Sequence, residues 1–186
     1  MRFTLSFAAC LALASALPEP MFRRFNFSAS CMTNYDAQKV ATNFKTLIDN
    51  YSDDLADAAL TEGFSDYSDS VTTLIDSGCT GPQALGAATF DSRESFKAGQ
   101  GAQPPIPFEQ LNLWHNCDTV FLRWRSAQEP EPITGIIVLE TQVDSSSGER
   151  LINTVYSEFN SGAWLVNLGV FKPSNCSSSL RMMRRA

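Results

Sequence analysis

The chain changes its hydrophobic period once, at the Gln103-Pro-Pro-Ile-Pro107 break, and that single switch limits the folds open to it. Before the break, Ala37, Val40, Ala41, Phe44, Leu47, Ile48 and Tyr51 recur at i, i+3, i+4, i+7 spacing, one apolar stripe of a helix. Thr33 with Asp36 three residues later predicts a capping box at its start. Ser52-Asp53-Asp54 restarts a second short helix, with Leu55, Ala58, Ala59 and Leu60 inward and Gly63 as C-terminal cap. Phe64 to Ser70 reads as a short strand with polar residues interleaved, and residues 77–89 read as loop. Ser92 caps a third helix, Arg93 to Lys97, closed by Gly99. After the break, four runs rich in Val, Ile, Trp, Phe and Thr read as strands: Phe108–Arg125, Ile133–Val143, Leu151–Asn160 and Ala163–Phe171. Asp144-Ser-Ser-Ser-Gly148 and Asn160-Ser-Gly162 supply hairpin turns. In the first run the apolar residues move from odd positions (Leu111, Leu113) to even ones (Val120, Leu122, Trp124). That shift predicts a one-residue bulge near Asn116-Cys117-Asp118. Helices followed by antiparallel strands make an α+β pattern, with a curved sheet wrapped around the stripe at 37–51.

With 186 residues the chain has room for one domain and a buried core. Twenty Asp+Glu against 14 Lys+Arg argue against a nucleic-acid partner, which needs a clustered basic surface. A single histidine and the absence of C-x-x-C spacing argue against a metal centre. No phosphate-cradling or dinucleotide fingerprint is present, so no cofactor is expected.

Residues 1–16 read as a secretory signal. Arg2 forms the n-region, Phe3 to Ala14 an apolar run too short to span a membrane, and Ala14-Ser15-Ala16 a small-x-small cleavage site. Losing Arg2 leaves 13 bases against 20 acids, a net charge of −7. Cleavage also discards Cys10, so Cys31, Cys79, Cys117 and Cys176 remain for two disulfides in an oxidising compartment, with three pairings open. Asn26, Asn50 and Asn175 head N-x-S/T sequons. Residues 17–30 are expected to form an arm, 31–176 the domain and 177–186 a basic tail. Arg23-Arg24 reads as a tether or a processing site.

Several stretches carry a family resemblance: Asp36–Tyr51, Phe64–Ser70, Thr89–Phe96, Leu113–Cys117 and Tyr156–Leu165. Together with the element order, they resemble the NTF2-like superfamily, which includes ketosteroid isomerases, SnoaL-type polyketide cyclases and scytalone dehydratases. More closely the chain resembles secreted NTF2-like domain proteins of filamentous fungi. The resemblance implies a cone-shaped α+β barrel with a pocket between the sheet and the first helix, and functions ranging from isomerases to non-catalytic binders. It also implies neighbouring first and last strands, on which Cys79 would pair with Cys176 and Cys31 with Cys117. A homodimer through the sheet face is a further expectation for such a domain.

The candidate catalytic residues are Asp66, Tyr67, Asp69 and His115. Strand alternation puts Asp66 with Ser68 on one face and Tyr67 with Asp69 on the other. An acid desolvated in a cavity has a raised pKa suited to general acid–base work; alternatively Asp66 caps a neighbouring helix or turn. His115 is the only imidazole and sits beside the expected bulge, as a base or as a structural hydrogen-bonding group. The second histidine of the dehydratase pattern is missing. Tyr51, Phe44, Trp114 and Glu158 are the candidate ligand contacts, with core packing or a rim ion pair to Arg123 or Arg125 as their plainer roles. These residues leave three readings open. One is a cofactor-free isomerase, cyclase or dehydratase acting on a small apolar polyketide- or terpenoid-like ligand. Another is a secreted binder or effector-type protein. The third is a structural domain whose interior is filled by its own side chains.

Overall fold

The computed structural model describes residues 31–172 apart from position 83. The expected signal, arm and tail lie outside the described residues, as do Asn26, Asn175 and Cys176. Helix α1 (Asn34–Asp49) begins at Thr33, whose hydroxyl accepts from the Asp36 N–H while the Asp36 carboxylate accepts from the Thr33 N–H. Its stripe is buried at Ala37, Val40, Ala41, Phe44 and Leu47. Helix α2 (Asp53–Ala59), capped by Ser52, runs directly into β1 (Leu60–Tyr67). Gly63 therefore lies inside a strand and does not cap a helix, and α2 turns Ala56 inward where Ala58 was expected. Ser68 caps α3 (Asp69–Leu74), which continues into a 3-10 turn, Ile75–Gly78. Helix α4 (Arg93–Gly101) has Ser92 as cap and runs past Gly99.

The expected long strand at 108–125 is two strands, β2 (Glu109–His115) and β3 (Thr119–Ser126). Between them Asn116 turns the chain, its side-chain oxygen accepting from the N–H groups of Asp118 and Thr119. The parity change has a simple cause. The hairpin pairs Leu113 with Leu122 and His115 with Val120, so odd positions on one strand share a face with even positions on the other. The bulge lies elsewhere, between Gln110 and Asn112. Strands β4 (Ile133–Val143) and β5 (Arg150–Phe159) complete the sheet. The run expected as a fourth strand begins with helix α5 (Ser161–Asn167), because the Asn160 side chain caps the Ala163 N–H and a local helix forms before a hairpin can.

The sheet is five-stranded in the order β1-β5-β4-β3-β2, curved and not closed into a barrel, with β1 parallel to β5 and the other pairs antiparallel. Its inner face and the helices bury one core that includes Phe44, Leu47, Phe64, Phe96, Leu122, Ile137, Leu139 and Val155. Trp124 stacks on Phe108 at 4.8 Å and lies over Gly135, where a Cβ would come within 2.7 Å of the indole nitrogen. A disulfide joins Cys31 to Cys117, tying the chain before α1 to the β2–β3 turn. Among the described residues no helix is long and apolar enough to cross a membrane.

Candidate functional site

Cross-strand register places the candidates on two opposite faces. On the inner face one row runs His115–Val120–Leu139–Val155–Asp66 across all five strands. Asp66 and His115 thus share a face but stand on its two edges, four strand spacings or about 19 Å apart as measured along the sheet. Val120, Leu139 and Val155 fill the space between them. The structure does not bring the two together, which removes an Asp–His pair acting on one small molecule. On the outer face the next row is Trp114–Phe121–Val138–Tyr156–Tyr67, with Tyr67 stacked on Tyr156 at 5.5 Å. Tyr67 and Trp114 are therefore not interior residues; Trp114 is 53% exposed.

Asp66 is the group that stands out. It is 5% exposed, and its Oδ1 is buried without a hydrogen-bond partner. Its backbone is fixed independently of its side chain: the N–H donates to the Phe90 carbonyl, and the carbonyl accepts from Thr89 and Phe90. Burial chiefly, and the Glu158 carboxylate second, push its carboxyl up to about 7. An acid so placed exchanges its proton near neutral pH, which general acid–base chemistry requires.

The remaining candidates have structural tasks. His115 contacts the Asn34 side-chain oxygen through Nε2 at 2.8 Å and the Asn116 carbonyl through Nδ1 at 2.9 Å, so it fastens the start of α1 to β2. Asp69 does not extend the strand with Tyr67. It begins α3, and its carboxylate accepts from the Gly86 N–H at 2.7 Å. Glu158 reaches from the outer face to the start of α3, accepting from the N–H groups of Asp69 and Ser70 at 3.0 Å and from the Ser70 hydroxyl. The expected rim pairing of Glu158 with Arg123 or Arg125 is not formed; Arg125 instead bonds Glu109. Phe44 is 1% exposed and part of the packed core. Tyr51 packs near Phe96 and donates its hydroxyl to Asp53 at 2.6 Å. Burial and that bond raise its pKa, so it stays protonated.

The interior between α1 and the sheet is filled by aromatic and aliphatic side chains. Two shallow clefts lie outside it. One of about 350 Å³ is on the outer sheet face at Arg123, Ile136 and Glu158; another runs along α1 at Tyr35, Lys39 and Asn43. No cluster of His, Cys, Asp and Glu fit to hold a metal occurs among the described residues. Sequence reasoning missed the orphan Trp124 Nε1 and Ser126 Oγ, both buried on the inner face of β3. The even-position pattern Val120, Leu122, Trp124 extends to Ser126 and would have found the second.

Three comparisons bear on this arrangement. The sequence model described as an NTF2-like domain matches residues 30–171. No curated protein matches the sequence. Among solved structures, a Bacillus cereus ATCC 10987 protein named as a candidate polyketide cyclase is 16% identical. It superposes with a TM-score of 0.52 over 74% of this chain and 83% of its own. A loop-truncated variant of IdmH is 12% identical, with a TM-score of 0.50 over 72% of this chain and 99% of its own. At these identities the likeness shows the shared fold.

Proposed function

The chain belongs to the NTF2-like domain family, and from that premise we propose that it binds a small apolar molecule against Asp66 and moves a proton on it without a cofactor. The observation that carries this reading is the buried Asp66 carboxyl with its unpartnered Oδ1, poised near neutrality. The reaction is of isomerase or cyclase type, on a polyketide- or terpenoid-like compound bearing a carbonyl. The ionised carboxylate takes a proton from carbon next to the carbonyl and returns it elsewhere. The polyketide cyclase name of the Bacillus cereus relative accords with this class; a dehydratase working through paired Asp and His does not, because His115 is four strands away. Ligand entry requires the packed interior to open.

The test is exchange of a carbon-bound proton for deuterium in a panel of cyclic ketones in D₂O. Wild type should catalyse exchange, with the rate rising through about pH 7 as Asp66 ionises. Asp66→Asn should lower the rate at least roughly 100-fold while ligand binding, read by tryptophan fluorescence, persists. Equal exchange by both proteins removes the catalytic assignment. Binding without exchange by either leaves a non-catalytic ligand-binding or effector-type protein, and neither binding nor exchange leaves a structural domain whose interior is filled by its own side chains.

The Cys31–Cys117 disulfide supports an oxidising compartment, and secretion is proposed with it. Asn50, exposed at the end of α1, is then open to glycosylation. Secreted material should begin at Leu17 and carry glycan at Asn50, both read by mass spectrometry.

A further inference from the structure

Two polar side chains on the inner face of β3 have no task in the fold. Trp124 is 4% exposed and Ser126 0%, and neither Trp124 Nε1 nor Ser126 Oγ has a hydrogen-bond partner among the described residues. A buried donor without a partner costs stability, so native folds leave few of them. These two stand two residues apart on one strand, and so on one face. Apolar neighbours fix the indole. It stacks on Phe108 at 4.8 Å, meets Phe159 at a steep angle at 5.8 Å and reaches over Gly135, the one position between Trp124 and Phe159 that lacks a side chain.

Helix α5 lies at the end of the sheet that holds this pair. Asn160, its cap, donates its N–H to the Thr134 carbonyl at the start of β4. At the other end the Asn167 side chain bonds the Glu131 backbone twice, accepting from its N–H at 2.9 Å and donating to its carbonyl at 2.8 Å. The helix thus runs beside the loop that joins Ser126 to Ile133, the last pair of β3 and β4. No residue of α5 is itself fully buried, and Trp164 is partly buried where it packs on Phe159. A seven-residue helix held in this way separates from the core at lower cost than the sheet beneath it.

We propose that Trp124 and Ser126 form a binding site for the oxygen of a neutral, planar apolar molecule, a ketone or lactone and not an acid, and that α5 is the cover that lifts to admit it. An indole N–H only donates and a hydroxyl can donate, so the pair calls for an acceptor. Arg123 and Arg125, the cations of the same strand, are exposed on its other face, so nothing on β3 neutralises a carboxylate. Phe108, Phe159 and Trp164 supply the aromatic surface on which a planar molecule packs. The site is separate from Asp66: β3 is three strands from β1, and Trp124 lies four residues beyond Val120, whose row Asp66 shares. The inference rests on the reading that the chain takes a small apolar molecule, and not on proton transfer by Asp66.

The experiment titrates the full chain with acetylnaphthalene and with ethylnaphthalene, which has the same shape without the acceptor, and follows the indole N–H signals of Trp114, Trp124 and Trp164 by NMR. The ketone should bind roughly 10-fold more tightly than the hydrocarbon and move the Trp124 signal downfield. Ser126→Ala and Trp124→Phe should each remove several-fold of that advantage. Equal affinities, or a Trp124 signal that stays in place at saturation, overturn this site and leave the small-molecule reading standing. Binding of neither probe overturns both. Without ligand, Ser126→Ala should not lower the urea midpoint, because the hydroxyl it removes has no partner. A lower midpoint would mean that the hydroxyl is bonded within the fold, by an internal water for instance, and would also overturn the site. Asn167→Ala, which frees α5 from Glu131, should make the ketone associate several-fold faster; an unchanged rate removes α5 as the cover.

Discussion

Asp66 links chemistry to stability in one residue. Its carboxyl titrates near 3.8 in a model chain and at about 7 in the fold, so the folded state holds the proton more tightly. For an acid whose folded pKa is raised, stability is greatest below the unfolded value and declines as pH rises towards the folded value. The window runs from about pH 4 to about pH 7, and a shift of this size corresponds to at most about 4 kcal/mol. Asp66→Asn should flatten that decline. Urea unfolding at pH 5 and pH 8 should show wild type losing stability between the two and the variant losing much less; parallel losses would contradict the assignment. The proposed reaction needs the ionised form, so the active pH range is the one in which the fold is weaker. Gly135 makes a separate residue-scale prediction. A methyl group there would meet Phe159 Cβ at 2.6 Å and the Glu158 carbonyl at 2.7 Å. Gly135→Ala should therefore cost roughly 1–3 kcal/mol or more, read as a lower urea midpoint.

At the scale of elements, the start of α3 depends on one carboxylate from another strand. Glu158 accepts from two backbone N–H groups of α3 and from the Ser70 hydroxyl, whose oxygen in turn accepts from the Phe159 N–H. Removing it leaves the first-turn donors without their partner, although Ser68 still caps Val71. Glu158→Ala should cost roughly 1–3 kcal/mol, and Glu158→Gln less, because the amide oxygen still accepts. Native-state hydrogen exchange should show faster exchange at Asp69 and Ser70 in the alanine variant, and unchanged exchange there would refute the cap. This docking was not legible in the chain, because nothing local marks Glu158 as a cap for a helix 88 residues away. Local signals read well: the Thr33–Asp36 box, the Ser92 cap and the stripe at 37–51 all describe contacts within a few residues. Two errors came from chemistry that period alone does not resolve. A hairpin and a bulge both shift parity, and only the Asn116 hydrogen bonds that close the turn distinguish them. Asn160-Ser-Gly suits a hairpin turn and a helix cap alike, and the following Ala163-Trp164-Leu165 favoured the helix. Strand alternation separated Asp66 from Tyr67, whereas which of the two faces is interior, and the faces of Trp114 and Glu158, follow only from the observed register.

For the whole molecule, the expected homodimer would form through the outer sheet face. Trp114, Phe121, Val138, Tyr156 and Tyr67 form a continuous row across five strands, with Ile136 exposed beside it. The neighbouring row places Arg123 and Glu158 on either side of Ile136. A two-fold axis lying in the interface, parallel to the strands and passing by Ile136, would set Arg123 of one copy opposite Glu158 of the other, while apolar side chains meet at the centre. The face is therefore self-complementary in both charge and apolarity, and the pairing proposed is a homodimer through it. Sedimentation should find a dimer whose dissociation constant rises at least roughly 100-fold in Ile136→Arg. That change would put four like charges around one axis and desolvate the new ones. A wild-type monomer at tens of micromolar would end this assignment, as would a dimer indifferent to the substitution. Asp66 faces the opposite side of the same sheet, so the variant should keep the pH dependence of unfolding that belongs to Asp66. Loss of both together would mean that the sheet itself, and not its outer surface alone, had been disturbed.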